Sequence, residues 1–358
     1  MAGGTGGHIF PALSIAEKLR EMGVNIEWLG SASGLEVQIL GDMDYTLHLI
    51  NARGLRGKGV LSLLLAPLMI VRATVQAYRV MARVRPDCVL GMGGFVTGPG
   101  GVAARLRGIR LLIHEQNAVP GITNRMLMPF AFRVLEAFPE TFAKNRFAEN
   151  KTVTVGNPVR RSIASSGSQK TREDAHRLRV LVLGGSQGAR AINTVVPAAL
   201  GLLEPESRPQ VLHQAGKDKV SETLAGYAQA GIVTGADVRV QDFIKDIAQA
   251  YTWADLVICR SGASTVAEIA AAGLPAILIP YPYHKDQQQV RNARWLSETG
   301  AALLVEQDDL SPAVLRDHLK TFNCDRSRTA SMSAAALDRA ITDADERIAL
   351  LCLETSNG

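Results

Sequence analysis

The sequence lacks the features of an exported or membrane-spanning protein. Its 358 residues open without the charged and apolar segments of a secretory signal, and no run reaches the roughly 18 apolar residues of a membrane span. Cysteine is scarce, and no pair has Cys-x-x-Cys spacing. The four cysteines are Cys88, Cys259, Cys324 and Cys352. We therefore expect a cytosolic chain whose cysteines stay reduced in the core.

Three classes of ligand site also lack their signatures. No run of lysine and arginine carries interleaved aromatic residues, which make up 5% of the chain, so no nucleic-acid surface is expected. Histidine and cysteine do not cluster as metal ligands do. The glycine loop that starts at Gly4 has Ile9 where a dinucleotide fingerprint needs its third glycine, which argues against a nicotinamide cofactor. The net charge of +5 instead favours an acidic ligand or an anionic membrane face.

Short apolar runs alternate with helical patterns along the whole chain. This order of strand, helix and strand is typical of parallel sheets in α/β domains. A chain of 358 residues is also too long for one ordinary core and suggests two domains of about 150 residues each. The predicted strands cover residues 24–29, 46–50, 88–90, 111–113, 132–135, 153–155, 179–183, 211–214, 238–240, 256–259, 276–279 and 303–305.

A polar stretch at 162–177 follows Gly156-Asn-Pro-Val-Arg160 and is typical of a linker between domains. After it, a strand and the glycine loop 184–188 repeat the plan of the chain's start, where a glycine loop opens a helix. We predict two Rossmann-like domains at 1–158 and 159–336, with their parallel sheets facing a cleft. Residues 337–358 are expected to form a last helix, over about 338–353, that packs back on the first domain.

The stretch from Arg260 to Pro275 predicts a helix N-terminus directed out of a sheet. A buried strand precedes it, and Gly262 and Ala263 are small enough to let a ligand approach. Such a terminus has unpaired N–H groups and roughly half a positive charge, which suits a phosphate. Glu268 has two interpretations: it closes a capping box with Thr265, or it accepts hydrogen bonds from ribose hydroxyls beside that phosphate.

Further polar and glycine-rich segments follow predicted strands. In the first half these are 91–95, 98–101 and His114-Glu-Gln-Asn117, and in the second half His284-Lys-Asp-Gln-Gln-Gln289. Ligands of parallel sheets bind at the carboxyl ends of strands, so we expect these segments to meet at a binding rim. The last segment is either an Asp-capped helix start or a set of amide groups for sugar hydroxyls.

The apolar segment 59–71 is too short to cross a membrane and unusually apolar for an exposed helix. Basic residues flank it, as in segments that lie in the membrane interface. These residues are Arg53, Arg56, Lys58, Arg72 and Arg79, and the apolar face includes Leu64, Leu68, Val71 and Thr74. We favour membrane contact over the alternative of a buried helix, although aromatic anchors are sparse.

Taken together, the motifs resemble one family, the bacterial N-acetylglucosaminyltransferases of peptidoglycan synthesis. The resemblance covers nearly the whole chain. It is carried by Gly3-Gly-Thr-Gly-Gly-His8, Gly91-Met-Gly-Gly-Phe95, His114-Glu-Gln-Asn117, Gly156-Asn-Pro-Val-Arg160, Gly184-Gly-Ser-Gln-Gly-Ala-Arg190, the stretch from Arg260 to Pro275, and Asp286-Gln-Gln-Gln289.

This resemblance implies a GT-B fold and an inverting transfer without metal or cofactor. N-acetylglucosamine would pass from UDP-N-acetylglucosamine, bound by the second domain, to the 4-hydroxyl of a muramoyl-pentapeptide on undecaprenyl diphosphate. The enzyme would act peripherally at the cytoplasmic face of the inner membrane. Cell-wall and division proteins would be its further partners.

The resemblance also implies roles for individual residues. Ile244 would lie beside the uracil, Glu268 would hold the ribose, and Arg260 would stabilise the departing UDP. Ser186 and the amides of Ala263, Ser264, Thr265 and Val266 would meet the diphosphate. The remaining donor-site residues would be Thr5, Gly6, Gly7, Asn117, Arg160, Ala267, Gln288 and Gln289. His8 is the expected general base and Glu115 its rival, while the alternative for His8 is a bond to the loop backbone.

One departure from the family stands out. The family has a strand before its first glycine loop, whereas this sequence opens at the loop, so we expect the first sheet to lack a central strand. Two other functions are alternatives to glycosyl transfer: a UDP-N-acetylglucosamine 2-epimerase of the same architecture, and a non-catalytic membrane adaptor. The apolar segment and the first glycine loops argue against the epimerase. The intact His8, Glu268 and Gln289 argue against the adaptor.

Overall fold

The computed structural model describes residues 1–4, 6–41, 43–52, 54, 65–143, 145–165, 177–185, 189–284 and 286–356. The chain forms two compact units. Unit 1 comprises Met1–Val159 and Thr342–Gly358, and unit 2 comprises Arg160–Ile341. Each unit is an α/β structure whose strand pairs are all parallel, as the sequence predicts.

Unit 1 contains six strands in two sheets, of orders β1-β2 and β3-β4-β5-β6, among its described residues. These strands are β1 (Glu27–Ser31), β2 (Thr46–Ile50), β3 (Cys88–Gly91), β4 (Arg110–Glu115), β5 (Arg133–Glu136) and β6 (Thr152–Thr154). The first helices of the unit are α1 (Gly6–Glu21), α2 (Glu36–Leu40), α3 (Ala66–Val84), α4 (Thr97–Leu106) and α5 (Ile122–Leu127).

Unit 2 has one sheet of order β12-β11-β10-β7-β8-β9 among its described residues. Its strands are β7 (Arg179–Leu183), β8 (Gln210–Gln214), β9 (Val238–Gln241), β10 (Leu256–Cys259), β11 (Ala276–Leu278) and β12 (Ala302–Leu304). Its helices are α6 (Arg161–Ala164), α7 (Arg190–Gly201), α8 (Val220–Gln229), α9 (Ile247–Trp253), α10 (Ala263–Ala271), α11 (Gln288–Ser297), α12 (Pro312–Cys324) and α13 (Arg326–Arg339). The chain then returns to unit 1 with α14 (Ala344–Ser356).

Each of the twelve predicted strands forms, with ends that differ by at most a few residues. For the central strands the reason is burial on both faces. All four residues of β10 are buried, and so are the last five residues of β4. A strand covered on both sides has no polar alternation, so it is recognised in the sequence as a short unbroken apolar run.

The first two residues lie beside strands of both sheets of unit 1. The Met1 nitrogen donates to the Leu90 carbonyl at 2.7 Å, and the Met1 carbonyl accepts from the Met92 amide at 2.9 Å. The indole nitrogen of Trp28, in β1, donates to the Ala2 carbonyl at 3.1 Å. Residues 1 and 2 therefore run next to the end of β3 and in contact with β1.

Glycines that the sequence places in loops lie partly in helices. Helix α1 begins at Gly6, so His8 lies in its first turn instead of ending a loop. Residues 98–101, predicted as a loop at the sheet edge, form the first turns of α4, so that prediction is wrong. A Cβ at Gly101 would lie 2.7 Å from the Leu127 side chain. Glycine at this position lets α4 pack closely on α5.

The end of the chain also differs from expectation. The predicted last helix at 338–353 is two elements, because α13 ends at Arg339 and α14 begins only at Ala344. Helix α14 packs on α1 through Ile348, Ala349 and Cys352, all buried. Cys324, expected in the core, is exposed at the end of α12. Among the described residues, no helix has the length and apolar content to cross a membrane.

Candidate active site

Helix α10 of unit 2 begins where β10 ends and the chain turns outward. The residue before the helix, Gly262, is extended (φ −64°, ψ 144°) and offers no side chain to cap the first turn. The predicted capping box is therefore wrong: Thr265 already lies in the first turn, and Glu268 lies a turn further along. The residues of this turn are small, but the Val266 amide, one of those predicted to meet the diphosphate, already donates to the Gly262 carbonyl at 2.9 Å.

Glu268 instead binds two side chains that come from elsewhere in unit 2. Its Oε1 accepts from the Arg160 guanidinium at 3.0 Å, and its Oε2 accepts from the Tyr251 hydroxyl at 3.1 Å. Tyr251 is buried, and burial together with the carboxylate raises the pKa of its hydroxyl well above the usual value. Tyr251 thus stays a neutral donor. The Glu268 carboxylate is held in one place by a cation and a hydroxyl.

Ile244 is positioned by a residue that sequence reasoning missed. Its backbone N–H donates to the Gln214 side-chain oxygen at 3.0 Å, and both residues are buried. Gln214 ends β8, and Ile244 follows the neighbouring strand β9. The sequence signal that could have identified Gln214 is a glutamine at the end of an apolar strand.

Arg260 and Gln289 both bind the loop after β11. The Arg260 guanidinium donates to the carbonyls of Ile279 and Pro280 at 3.1 and 2.9 Å. It also donates to the Gln307 side chain at 2.6 Å. The Gln289 side-chain oxygen accepts from the Tyr281 amide at 2.9 Å. These contacts hold a backbone segment, so for Arg260 they favour a structural role over stabilisation of a leaving group.

Helix α11 does not start as expected. It begins at Gln288, and the residue before it, Gln287, has a left-handed backbone with φ 49°. No side chain caps the helix, which rules out the alternative of an Asp-capped helix start. The start of α11 is bonded to the segment between β10 and α10 instead, because the Ser261 hydroxyl donates to the Gln289 carbonyl at 2.8 Å.

Glu115, the predicted rival base of unit 1, is enclosed by donors from the segment that follows it. Its Oε1 accepts from the backbone and side-chain nitrogens of Asn117 at 3.1 and 3.2 Å. Its Oε2 accepts from the Gly121 amide and the Asn124 side chain, both at 2.9 Å. With four donors on a buried carboxylate, the geometry favours a structural role in which Glu115 shapes the loop between β4 and α5.

His8 is linked to the buried end of β4 by Gln116. Its Nδ1 lies 3.1 Å from the Gln116 side-chain oxygen, and the Gln116 side-chain nitrogen lies 3.2 Å from the ring of His114. Burial lowers the pKa of His114 to about 4, so this ring is neutral. Both His114 and Gln116 lie in a segment predicted to reach the binding rim, but local sequence assigns neither a role.

The glycine loop after β3 lies against the His8 ring. Gly93 has a positive φ of 90°, and a Cβ at this position would lie 3.0 Å from the imidazole. Its carbonyl accepts from the Thr97 hydroxyl at 2.6 Å, which fixes the loop. Only a residue without a side chain fits between the loop and the ring.

Several predicted residues lie outside the described part of the chain. They are Thr5, Ser186, Arg53, Arg56, Lys58 and Leu64. Gly6 and Gly7 lie in the first turn of α1, and Ala267 lies inside α10 beside Val266. Within the described ranges, no three His, Cys, Asp or Glu side chains are placed to hold a metal ion.

Comparisons with known proteins match both units. Residues 1–136 match the glycosyltransferase family 28 N-terminal domain, and residues 179–348 match the glycosyltransferase family 28 C-terminal domain. The crystal structure of Acinetobacter baumannii MurG is 38% identical, with a TM-score of 0.80 over 99% of this chain and 98% of that one. This similarity confirms the predicted GT-B class.

Relatives of known name extend over the full sequence. A protein of Marinobacter nauticus is 49% identical across 100% of this chain and 97% of its own length. It is named UDP-N-acetylglucosamine–N-acetylmuramyl-(pentapeptide) pyrophosphoryl-undecaprenol N-acetylglucosamine transferase. A Pseudomonas fluorescens protein of the same name is 47% identical across 100% of this chain and 98% of its own length. With both family domains present and relatives aligned from end to end, the chain belongs to glycosyltransferase family 28.

Proposed function

We infer that this chain transfers N-acetylglucosamine from UDP-N-acetylglucosamine to the muramyl-pentapeptide on undecaprenyl diphosphate, a step of peptidoglycan synthesis. The observation that carries the inference is the end-to-end similarity, at 49% identity, to a transferase of that name. Neither the epimerase nor the adaptor is favoured by these relatives, because both family domains are glycosyltransferase domains.

We propose that unit 2 binds the donor through the residues around α10. The amides of Ala263, Ser264 and Thr265, with Ser186, would meet the diphosphate, because a helix N-terminus carries roughly half a positive charge. Glu268, already held by Arg160 and Tyr251, would accept hydrogen bonds from the ribose hydroxyls. Ile244, fixed by Gln214, would lie against the uracil. The other predicted donor contacts stay predictions.

In unit 1, His8 is the proposed general base. The acceptor's 4-hydroxyl oxygen forms a bond to the anomeric carbon while the bond from that carbon to UDP breaks. The hydroxyl proton passes to the imidazole, and the bonding electrons leave with the diphosphate. His8 is partly exposed, whereas Glu115 is buried and already accepts four hydrogen bonds. A neutral imidazole suits this task near neutral pH.

Helix α3 is the proposed membrane-contact surface, at the cytoplasmic face. Its inward side is Ala73 and Ala77, which are buried, while Leu68, Val71 and Val75 point outward. Leu68 is 68% exposed, more than a core-facing leucine would be. The same helix carries Arg72, Arg79 and Arg83, which would meet anionic headgroups.

Incubation of the protein with UDP-N-acetylglucosamine and a lipid-linked muramyl-pentapeptide analogue tests the activity directly. The expected product is a disaccharide on the lipid, together with free UDP, as measured by mass spectrometry. UDP-N-acetylmannosamine without a disaccharide would indicate an epimerase. A folded protein that binds UDP and gives no product would favour an adaptor.

Replacing His8 tests the base. His8→Asn keeps a donor for Gln116 but has no basic nitrogen, so kcat should fall by roughly 10²- to 10⁴-fold with UDP affinity unchanged. His48→Asn is the matched control, because His48 also lies in unit 1 but pairs with Glu27. If His8→Asn reduces kcat by less than tenfold, the proton goes elsewhere.

Replacing Glu268 tests the ribose contact. Glu268→Ala should weaken the binding of UDP and of uridine alike by about 1.5–3 kcal/mol, because a ribose contact is common to both ligands. Calorimetric titration measures both affinities, with Glu298→Ala at the exposed end of α11 as the control. Unchanged UDP affinity in the folded variant would leave Glu268 a structural partner of Arg160.

A charge on α3 tests membrane contact. Leu68→Glu should reduce binding to vesicles containing phosphatidylglycerol by about tenfold or more, since burying a leucine contributes about 1.5–3 kcal/mol. Binding of the unchanged protein should weaken as salt is added. Val233→Glu, at a site in unit 2 that is 91% exposed, should leave flotation unaltered. Equal flotation of both variants and the parent protein would rule out this surface.

A further inference from the structure

We propose that Gln116 fixes the tautomer of His8, placing the ring proton on Nδ1 and leaving the lone pair on Nε2 for the acceptor hydroxyl. Gln116 is therefore a positioning residue. The use of that lone pair rests on the base role proposed above. The tautomer itself rests only on the geometry of unit 1.

The backbone carbonyl of Gly156 sets the tautomer of His114. The Nε2 of His114 lies 2.9 Å from the Gly156 carbonyl oxygen, inside the core. Because a carbonyl can only accept, Nε2 of His114 carries a hydrogen. The ring is neutral, as its lowered pKa of about 4 requires, so its Nδ1 has a lone pair. His114 therefore presents an acceptor toward Gln116.

The orientation of the Gln116 amide follows from two acceptors. One end of the amide lies 2.9 Å from the Met92 carbonyl oxygen and 3.2 Å from Nδ1 of His114. Both groups accept, so this end is the NH₂ group, and its two hydrogens are both in use. The other end is therefore the oxygen. The side chain is 2% exposed, so solvent does not compete for these bonds.

The oxygen of Gln116 then determines the state of His8. It lies 3.1 Å from Nδ1 of His8 and can only accept, so Nδ1 must donate. In the neutral ring, Nε2 is then the basic nitrogen. A neutral histidine side chain in water prefers the opposite tautomer, with the proton on Nε2. The chain of bonds from Gly156 and Met92 thus reverses an intrinsic preference.

Two further contacts keep this arrangement in place. The backbone carbonyl of Gln116 accepts from the Asn157 side chain at 2.9 Å, which ties β4 to the segment after β6. Gly93 lies against the His8 ring, where a Cβ would come within 3.0 Å of Nδ1. The ring is therefore confined between Gly93 and Gln116, and Nδ1 stays directed at the amide.

Nitrogen-15 NMR of protein labelled at histidine tests the tautomer without any substrate. At a pH where His8 is neutral, its Nδ1 should show the shift and coupling of a protonated nitrogen, and its Nε2 those of an unprotonated one. His8→Asn assigns the signals. If the wild-type spectrum shows the proton on Nε2, the proposal is overturned whatever any variant does.

Gln116→Met tests the assignment to Gln116, since methionine fills the space but cannot accept the bond. The proton of His8 should then move mainly to Nε2. His114 should keep its hydrogen on Nε2, bonded to the Gly156 carbonyl oxygen, which would show that the fold around the site is intact. His213 of unit 2, buried between Tyr227 and Asn193, should not change at all. An unchanged His8 tautomer in this variant would overturn the role of Gln116.

Kinetic measurements distinguish a positioning role of Gln116 from a general disturbance of the fold. A wrong tautomer costs a serine protease about 10⁴-fold in kcat, and here we expect a loss of at least about tenfold with KM for UDP-N-acetylglucosamine unchanged. Activity retained in His8→Asn would refute the base but not the tautomer, so the two failures are distinguishable. Loss of activity in Gln116→Met with an unmoved tautomer would contradict the proposal.

Discussion

Parallel strand pairing is the constraint on which the rest of the structure depends. Every strand pair described is parallel, so the carboxyl ends of neighbouring strands meet at the same edge of their sheet. In unit 1 this brings the glycine loop after β3 beside the polar residues that end β4. In unit 2 it places Gln214 at the end of β8 beside Ile244, which follows β9. The direction of the strands thus determines which polar segments lie side by side at the edge of each sheet.

The sequence was sufficient for the strands and for the motifs that carry the family resemblance, because a buried strand needs an unbroken apolar run. It was insufficient for helix starts. A Ser/Thr-x-x-Glu spacing predicted a cap at Thr265, but the chain enters α10 at Gly262, directly after a strand, and needs no side-chain cap. Residues 98–101 form the first turns of α4 instead of a loop, because their glycines serve helix packing that local sequence does not reveal.

Long-range partners decide what each polar residue can do, and local sequence does not contain them. Glu115 and Glu268 are both carboxylates that lie at or beyond strand ends. Four donors surround the first and leave it structural, whereas Arg160 and Tyr251 hold the second in a partly buried position. His8 and Gln116 stand 108 positions apart in the chain, so only the folded sheet could join them. Of the two histidines that Gln116 joins, His114 is buried and His8 is partly exposed.

The central claim is that the sugar is transferred by one direct displacement at the anomeric carbon. The measurement that tests it most directly is the configuration of the new glycosidic bond, read from the coupling between the first two ring protons of the transferred sugar. UDP-N-acetylglucosamine carries an α bond, so the account predicts a β-linked product at the 4-hydroxyl of the acceptor. An α-linked product would require a second displacement or a different path, and would contradict the account.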